Sequence, residues 1–213
     1  MSFAIGIPTL NRYDILMPTL IMYARDFYDV DIFVLDNGKQ DIKDFKNVKV
    51  IETDANIGVG ASWNYLCSKV FEKHENALIL NDDIYMGKKT VDILDLISHK
   101  RYKNELLRAT PDWCSFIMSK AIWDKVGQFD ECFFPAYYED KSYEYRMKLK
   151  GLAPIKTPLL NPYIYRASQT LEKDFSILEA SKTNKELYIK MWGGVPDKET
   201  FKKKYGNKNQ YGK

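Results

Sequence analysis

The sequence predicts an α/β domain with a mostly parallel central sheet flanked by helices. Three observations lead there. Apolar runs and amphipathic stretches follow one another as strand, helix, strand, strand, helix, strand, the pattern of a sheet with helices on its faces. Ala77-Leu78-Ile79-Leu80 has no polar residue to alternate with, so it reads as a strand covered on both sides, as central parallel strands are. Two runs end on carboxylates, Leu35-Asp36 and Leu80-Asn81-Asp82-Asp83. In open α/β sheets ligands bind just outside such carboxyl ends.

Phe3 to Pro8 is a short apolar run closed by proline, hence a strand, with Thr9-Leu10-Asn11-Arg12 as the loop at its end. A helix begins near Asp14, which can cap it, and Pro18 is tolerated in or near the first turn, where amides lack partners. Leu16, Leu20 and Tyr23 mark its buried side. Asp31 to Asp36 is the second strand and Asn37-Gly38 turns the chain. A hairpin is the alternative at Asp-Asn-Gly, but Lys39 to Lys46 is too polar and irregular for an immediate return strand. Val48 to Glu52 is the third strand. A helix from Ala61 to Phe71 follows, its core side including Tyr65, Leu66 and Val70. Gly58 and Gly60 let the backbone be approached closely at that helix start, where the dipole favours anions. Neither G-x-x-x-x-G-K-[ST] nor G-x-G-x-x-G is present, and glycine before a helix also serves plain turn chemistry.

After the central acids, Thr90 to Ile97 reads as a helix with Val91, Leu94 and Ile97 on one side. Trp113 to Ser119 is a strand and Ala121 to Val126 a short helix. A further helix opens at Glu139-Asp140 and stops at Gly151. Leu159 to Tyr165 is a last strand, Asp174 to Trp192 one or two helices, and Pro196 to Tyr205 a short basic helix begun by Asp197.

A length of 213 residues, 45% hydrophobic and 29% charged, fits one soluble globular domain. A net charge of +3 is too small to argue for nucleic acid. Cys67, Cys114 and Cys132, odd in number and without a C-x-x-C pair, read as free buried thiols in a reducing compartment. Ile15 to Ala24 is too short to span a bilayer, and no signal peptide precedes the first strand. A cytoplasmic protein without a transmembrane segment is expected. His74 and His99 stand in polar surface settings, which leaves few candidates for a nucleophile–histidine pair. Lys202-Lys203-Lys204 reads as a solvated face. The polar ending Asn207 to Lys213 reads as a linker, so further domains are expected C-terminal to it.

Two places carry chemistry. Asp82 and Asp83 repel each other unless a cation or base neutralises them, and hard oxygen ligands suit Mg²⁺ or Mn²⁺; the other reading is a polar turn with solvated acids. Glu139 and Asp140 lie at a helix start, where the macrodipole stabilises negative charge and lowers a carboxyl pKa, so capping alone accounts for them. Beside them Phe133, Phe134, Tyr137 and Tyr138 form either a surface suited to sugars or part of the core.

Taken in order, these segments resemble the family 2 glycosyltransferases, inverting enzymes of the GT-A fold that use nucleotide-activated sugars. Ile7-Pro8-Thr9-Leu10-Asn11-Arg12 is similar to the family's opening strand and loop, and Val34-Leu35-Asp36-Asn37-Gly38 to its second-strand aspartate motif. Asn56-Ile57-Gly58-Val59-Gly60-Ala61-Ser62-Trp63-Asn64 resembles the Asn-x-Gly segment opening the next helix. Leu80-Asn81-Asp82-Asp83 occupies the place of the D-x-D metal motif. Val126 to Glu131, Phe133-Phe134 and Glu139-Asp140 resemble the acceptor-side segment and catalytic acid pair.

The resemblance covers about residues 3–151. It implies a single GT-A domain, with a nucleotide-binding half over about 1–86, an acceptor-side half over about 87–170 and a helical, Lys-rich extension over about 171–213. It further implies a UDP-sugar donor, a saccharide acceptor and Mn²⁺ or Mg²⁺. Thr9, Asn11, Arg12, Asp36, Asn37, Asn56, Gly58, Trp63, Asn81 and Asp82 would line the nucleotide pocket, with Asp36 accepting a hydrogen bond from the base. Asp83, with Asp82 helping, would hold the metal, and Asp140 would be the general base. Two departures stand out. Asn81 replaces the first aspartate of D-x-D, and Tyr163-Ile164-Tyr165-Arg166-Ala167-Ser168 has no histidine where the family often has a metal ligand, so Arg166 would supply some of the positive charge. A non-catalytic nucleotide- or carbohydrate-binding module is the alternative those departures favour. A sugar nucleotidyltransferase is the other, although no glycine-rich basic loop follows the first strand. An NAD-type oxidoreductase is disfavoured by the absence of G-x-G-x-x-G.

Overall fold

The computed structural model describes residues 2–85, 93–109, 113–160, 163–164 and 175–207. Its strands are β1 (Phe3–Thr9), β2 (Ile32–Asp36), β3 (Val48–Glu52), β4 (Asn76–Leu80), β5 (Ile84–Tyr85), β6 (Leu106–Arg108), β7 (Ser115–Ser119), β8 (Ile155–Lys156) and β9 (Tyr163–Ile164). Helices are α1 (Tyr13–Asp26), α2 (Val59–Val70), α3 (Ile93–Ser98), α4 (Lys120–Val126), α5 (Glu139–Leu149) and α6 (Phe175–Trp192). Seven strands form one sheet in the order β3-β2-β1-β4-β7-β6-β8. β1 to β4 run parallel, β7 runs against both β4 and β6, and β8 is parallel to β6. β5 and β9 make a separate two-stranded antiparallel pair.

The period-two geometry of strands divides the core into two layers. Ile5, Ile7, Val34, Leu78 and Leu80 point to the side covered by Leu16, Leu20 and Tyr23 of α1. Ala4, Leu35, Ala77 and Ile79 point to the side covered by Trp63, Leu66, Cys67 and Val70 of α2 and by Tyr143 and Met147 of α5. All five residues of β4 are buried, as expected for a strand covered on both faces. A third, smaller cluster, Phe133, Tyr145, Tyr188, Met191 and Trp192, lies under α6.

Several local expectations change. Parallel pairing of β2 with β3 excludes a hairpin at Asn37-Gly38. Arg12, not Asp14, is the N-cap of α1; Asp14 lies in the first turn and Pro18 inside the helix beyond it. α2 starts two residues early and presents Trp63, Leu66, Cys67 and Val70 inward, whereas Tyr65 is 45% exposed beside a surface groove of about 620 Å³. In α3 the buried residues are Ile93, Leu96 and Ile97, with Leu94 exposed; Thr90 and Val91 lie outside the described residues. The expected strand from Trp113 begins only at Ser115. Pro158–Leu160 is a 3₁₀ turn, and Tyr163–Ile164 of the expected last strand is extended and pairs with β5, while residues 161, 162 and 165 lie outside the described residues.

The basic helix expected from Asp197 does not form. Gly193 takes φ +75°, the chain folds back, and the amides of Thr200 and Phe201 donate to the Trp192 carbonyl at 3.1 and 3.0 Å. Lys204 is no idle surface charge, since it pairs with the buried Asp130 carboxylate. Of the cysteines only Cys67 is buried; Cys114 is half-buried and Cys132 exposed. Burial raises the Cys67 thiol pKa, so it stays protonated. His99 is exposed, while His74 is half-buried and lies 3.1 Å from Asp31. Among the described residues no helix is long and apolar enough to cross a membrane.

Candidate active site

The carboxyl ends of β1, β2 and β4 meet at one edge of the sheet. Thr9 closes β1 and donates its hydroxyl to Asp82 Oδ2 at 2.8 Å. That bond ties the loop after β4 to the end of the neighbouring strand. From below, Tyr23 of α1 donates to the Ile84 carbonyl at 2.9 Å, and Tyr85 donates to Asp26 at 2.9 Å, so α1 fixes the backbone just past the acids. Asp83 is buried next to Asp82.

Burial pushes Asp82 up to about 6; the Thr9 hydroxyl opposes this, the Asp83 charge adds to it and Arg12 pulls it back down. A carboxylate held in this state gains from a nearby cation. The donor set is Asp82 and Asp83 with the Asn81 amide, all oxygen, which fits Mn²⁺ or Mg²⁺ completed by phosphate and water. Among the described residues no three of His, Cys, Asp and Glu gather at this site or any other, so the protein's share of the ligands here is this pair with Asn81. Arg166, expected to supply positive charge, lies outside the described residues. Arg12 is mostly buried, and among the described residues its Nε and Nη2 atoms have no hydrogen-bond partner, while Asp14 lies 4.0 Å from Nε. A guanidinium in that state is an anion site by its chemistry.

Asp36 is 0% exposed, and both its oxygens are spent on its own loop: Oδ1 accepts from Gly38 N at 2.8 Å and Gln40 Nε2 at 3.0 Å, Oδ2 from Gln40 N at 2.6 Å. In this structure those bonds give Asp36 a loop-shaping role. Gly38 is packed so closely on Asn11 that a Cβ there would lie 2.4 Å from Asn11 Oδ1, which locks the β1 and β2 loops together. Asn37 is also structural, donating to Ser62 Oγ at 3.0 Å and accepting from Ile57 N at 3.2 Å. Asn56 accepts from Gly58 N at 2.9 Å and shapes the turn into α2. Trp63, expected in the nucleotide pocket, is 4% exposed and its ring packs in the core among Trp113, Phe116 and Phe129.

The second half of the site arrives through the reversal at β7. Because β7 opposes β4, its entrance lies at the carboxyl end of β4, where Asn81 N donates to the Cys114 carbonyl at 2.9 Å. The adjacent Trp113 donates Nε1 to Glu144 at 2.9 Å, one turn beyond Asp140 on α5. Arg108, at the end of β6, pairs with Glu144 at 3.2 Å and lies 5.7 Å from the Trp113 ring centre. Arg108 and Glu144 escaped the sequence reading because β6 is only three residues long. The one available signal was an arginine ending an apolar Leu106-Leu107 pair.

Two consecutive residues, Tyr137 and Tyr138, enter α5 with φ of +75° and +79°. For non-glycine residues that left-handed conformation costs about 1–2 kcal/mol each and persists only where surroundings enforce it. It presents the acid pair that follows. Asp140 keeps 21% of its side chain exposed, with Lys141 Nζ at 3.8 Å. Its pKa is raised by burial, with Lys141 and Arg108 pulling back, which corrects the expectation that the helix start alone would lower it. Glu139 is 5% exposed, packed on Gly60 at the start of α2, and its Oε2 has no partner. Burial and then the Asp140 charge push Glu139 up to about 8, so it is protonated at neutral pH.

A stability effect follows from that shift. A carboxyl raised from 4.5 to about 8 contributes stability that is full below pH 4.5 and lost as pH rises through 8. Glu139→Gln is expected to match wild type at pH 5 and to melt roughly 4–8 °C higher at pH 9, equivalent to about 2 kcal/mol after discounting for relaxation. Scanning calorimetry from pH 5 to 9 reads the difference; parallel curves would show that Glu139 is ionised throughout.

No family profile and no curated protein matches the sequence. Solved structures resemble it in shape. GalNAc-T7 with UDP, GalNAc and Mn²⁺ superposes with a TM-score of 0.64 over 90% of this chain at 10% identity. Glucosyl-3-phosphoglycerate synthase from Mycobacterium tuberculosis, with Mn²⁺, UDP and glucosyl-3-phosphoglycerate, gives 0.58 over 92% at 14% identity. The chain has the GT-A fold. A third GT-A structure, the mannosyltransferase PcManGT from Pyrobaculum calidifontis with GDP-Man and Mn²⁺, gives 0.54 over 73% at 12% identity. The chain spans 48% of the GalNAc-T7 chain and 54% of the mannosyltransferase, against 81% of the synthase. Within this GT-A frame the Asp82-Asp83 loop is bonded to Cys114, whose neighbour Trp113 bonds Glu144 on the helix that carries Glu139 and Asp140.

Proposed function

We propose that the chain is an inverting glycosyltransferase that moves a hexosyl group from a UDP-sugar to a hydroxyl of a saccharide acceptor, with Asp140 as general base and Mn²⁺ or Mg²⁺ at Asp82 and Asp83. One observation carries the reading. The Asn81–Cys114 bond, continued through Trp113 to Glu144, links a buried acid pair at the sheet edge to a partly exposed carboxylate one helical turn before Glu144. The neighbours' complexes with Mn²⁺ and UDP or GDP-Man support the choice of donor and metal.

Arg12 gives its unpartnered N–H groups to the diphosphate, and Thr9 holds Asp82 in register. When bound, the cation offsets the negative charge on the departing diphosphate. Asp140 takes the proton from the acceptor hydroxyl as that oxygen attacks the anomeric carbon. The bond to the nucleoside diphosphate breaks on the opposite face, and its electron pair leaves with the diphosphate. Lys141 and Arg108 offset part of the burial that raises the Asp140 pKa.

Incubating the protein with Mn²⁺ and a panel of UDP-, GDP- and dTDP-sugars tests this. Slow release of UDP, accelerated by saccharide acceptors, is expected. Binding with no release points instead to a non-catalytic module, and exchange with pyrophosphate to a nucleotidyltransferase.

A further inference from the structure

The C-terminal helix α6 packs away from both sheet layers. Its buried residues Tyr188, Met191 and Trp192 gather with Phe133 and Tyr145, and Tyr138 packs against the same cluster. Among the described residues α6 touches the segment leading into α5, α5 itself and the chain that folds back at Glu199 to Phe201. On this helix Asn184 is 3% exposed. A buried mid-helix asparagine is a poor choice for helix propensity and costly to desolvate unless its amide is bonded. Here the Nδ2 group donates twice, to the Phe134 carbonyl at 3.2 Å and to the Ala136 carbonyl at 2.8 Å. Those carbonyls immediately precede Tyr137 and Tyr138, the two left-handed residues that aim Glu139 and Asp140. Further along α6, Trp192 Nε1 donates to Ser142 Oγ at 2.9 Å, and Ser142 donates to the buried Asp130 at 2.5 Å. The helix thus grips the strained turn at one end and the first turn of α5 at the other. The ring of Tyr138 also lies 5.5 Å from that of Tyr188 on α6.

We infer that Asn184 is a positioning residue for the transfer reaction, holding the turn at Phe134 to Tyr138 so that Asp140 meets the acceptor hydroxyl, and that α6 is thereby part of the working site. The inference rests on the transferase reading above. Removing both donors frees two carbonyls and lets Tyr137 and Tyr138 relax toward ordinary backbone, which turns the start of α5. A displacement of about 1 Å at a reacting group costs on the order of 100-fold in rate. The side-chain bonds of Thr9, Asp36 and Asp82 stay within the ends of β1, β2 and β4 and their loops, so donor affinity is expected to hold.

The test compares wild type with Asn184→Leu and Asn184→Asp, the second keeping the volume while setting an acceptor against two carbonyls. Expected are a kcat lower by about 30–100-fold, a KM for the UDP-sugar within about twofold of wild type, and one UDP site per chain by calorimetry. Asn184→Gln, which keeps the amide, recovers part of kcat. A merely structural role would lower the number of competent UDP sites together with the rate and leave KM and the per-site kcat alone; that result overturns the inference. If Asn184→Leu fails to fold, the same comparison is made on Asn184→Asp and Asn184→Gln, and wild-type kcat per UDP site in both overturns it. Wild-type protein without turnover sinks the transferase reading itself, whereas turnover with unchanged variants sinks only the role of Asn184.

Discussion

Asp140→Asn protein is expected to bind UDP-sugar as wild type does and to transfer it about 10³-fold more slowly, the scale of a lost general base. The amide keeps the shape of the carboxylate but cannot take the acceptor proton. Burial sets the Asp140 pKa above the ordinary carboxylate value. Wild-type turnover should therefore fall with decreasing pH at a point higher than for a solvated aspartate, because protonation removes the base. Residual turnover of the variant should lack that acid limb. Measuring kcat against pH for both proteins decides it; a variant retaining a rate within about fivefold places the base elsewhere. Glu139 is a poor substitute, since it is buried and protonated near neutrality.

Neutralising the other acid pair is expected to separate function from stability. Asp82→Asn/Asp83→Asn protein should lose metal-dependent UDP affinity by on the order of 100-fold or more, the loss that removing even outer-shell partners of a metal reaches. Chelation of wild type should give the same loss. In metal-free buffer the double variant should nonetheless melt higher than wild type, because burial and Asp83 disfavour the charged form of Asp82. Calorimetric UDP titrations with and without Mn²⁺, paired with melting curves in chelator, read both effects. Unaltered UDP affinity in the variant would show that no cation binds there; a lower melting point would show that the crowding of the two acids costs nothing.

The half of the site proposed to bind the donor was legible because its information is local. Ala77 to Leu80 announces burial on both faces, and Asp36, Asp82 and Asp83 stand where apolar runs stop. What the sequence did not show there is how each side chain is held in the fold: Asp36 bonds its own loop, and Trp63 packs inward. For α2 the correct phase was present, since Trp63, Leu66, Cys67 and Val70 follow the 3, 4, 7 spacing of a buried helix face, but tyrosine at 65 was read as apolar core. The acceptor half was less legible. β6 and β8 are three and two residues long, too short for any alternation to register. Strand direction at β7 follows from long-range pairing that no local pattern encodes. Asn184 was invisible, because one asparagine in a helix acquires meaning only from the two carbonyls it meets.

The reversal at β7 has a consequence for how such a protein can diversify. Donor-side residues come from loops that leave the parallel strands, whereas Cys114 and Trp113 come from a segment that enters an opposed one. The two surfaces share an edge but no stretch of sequence. On the proposed reading, substitutions around Trp113 and Cys114 can alter the acceptor side while the nucleotide machinery at the ends of β1, β2 and β4 is left intact.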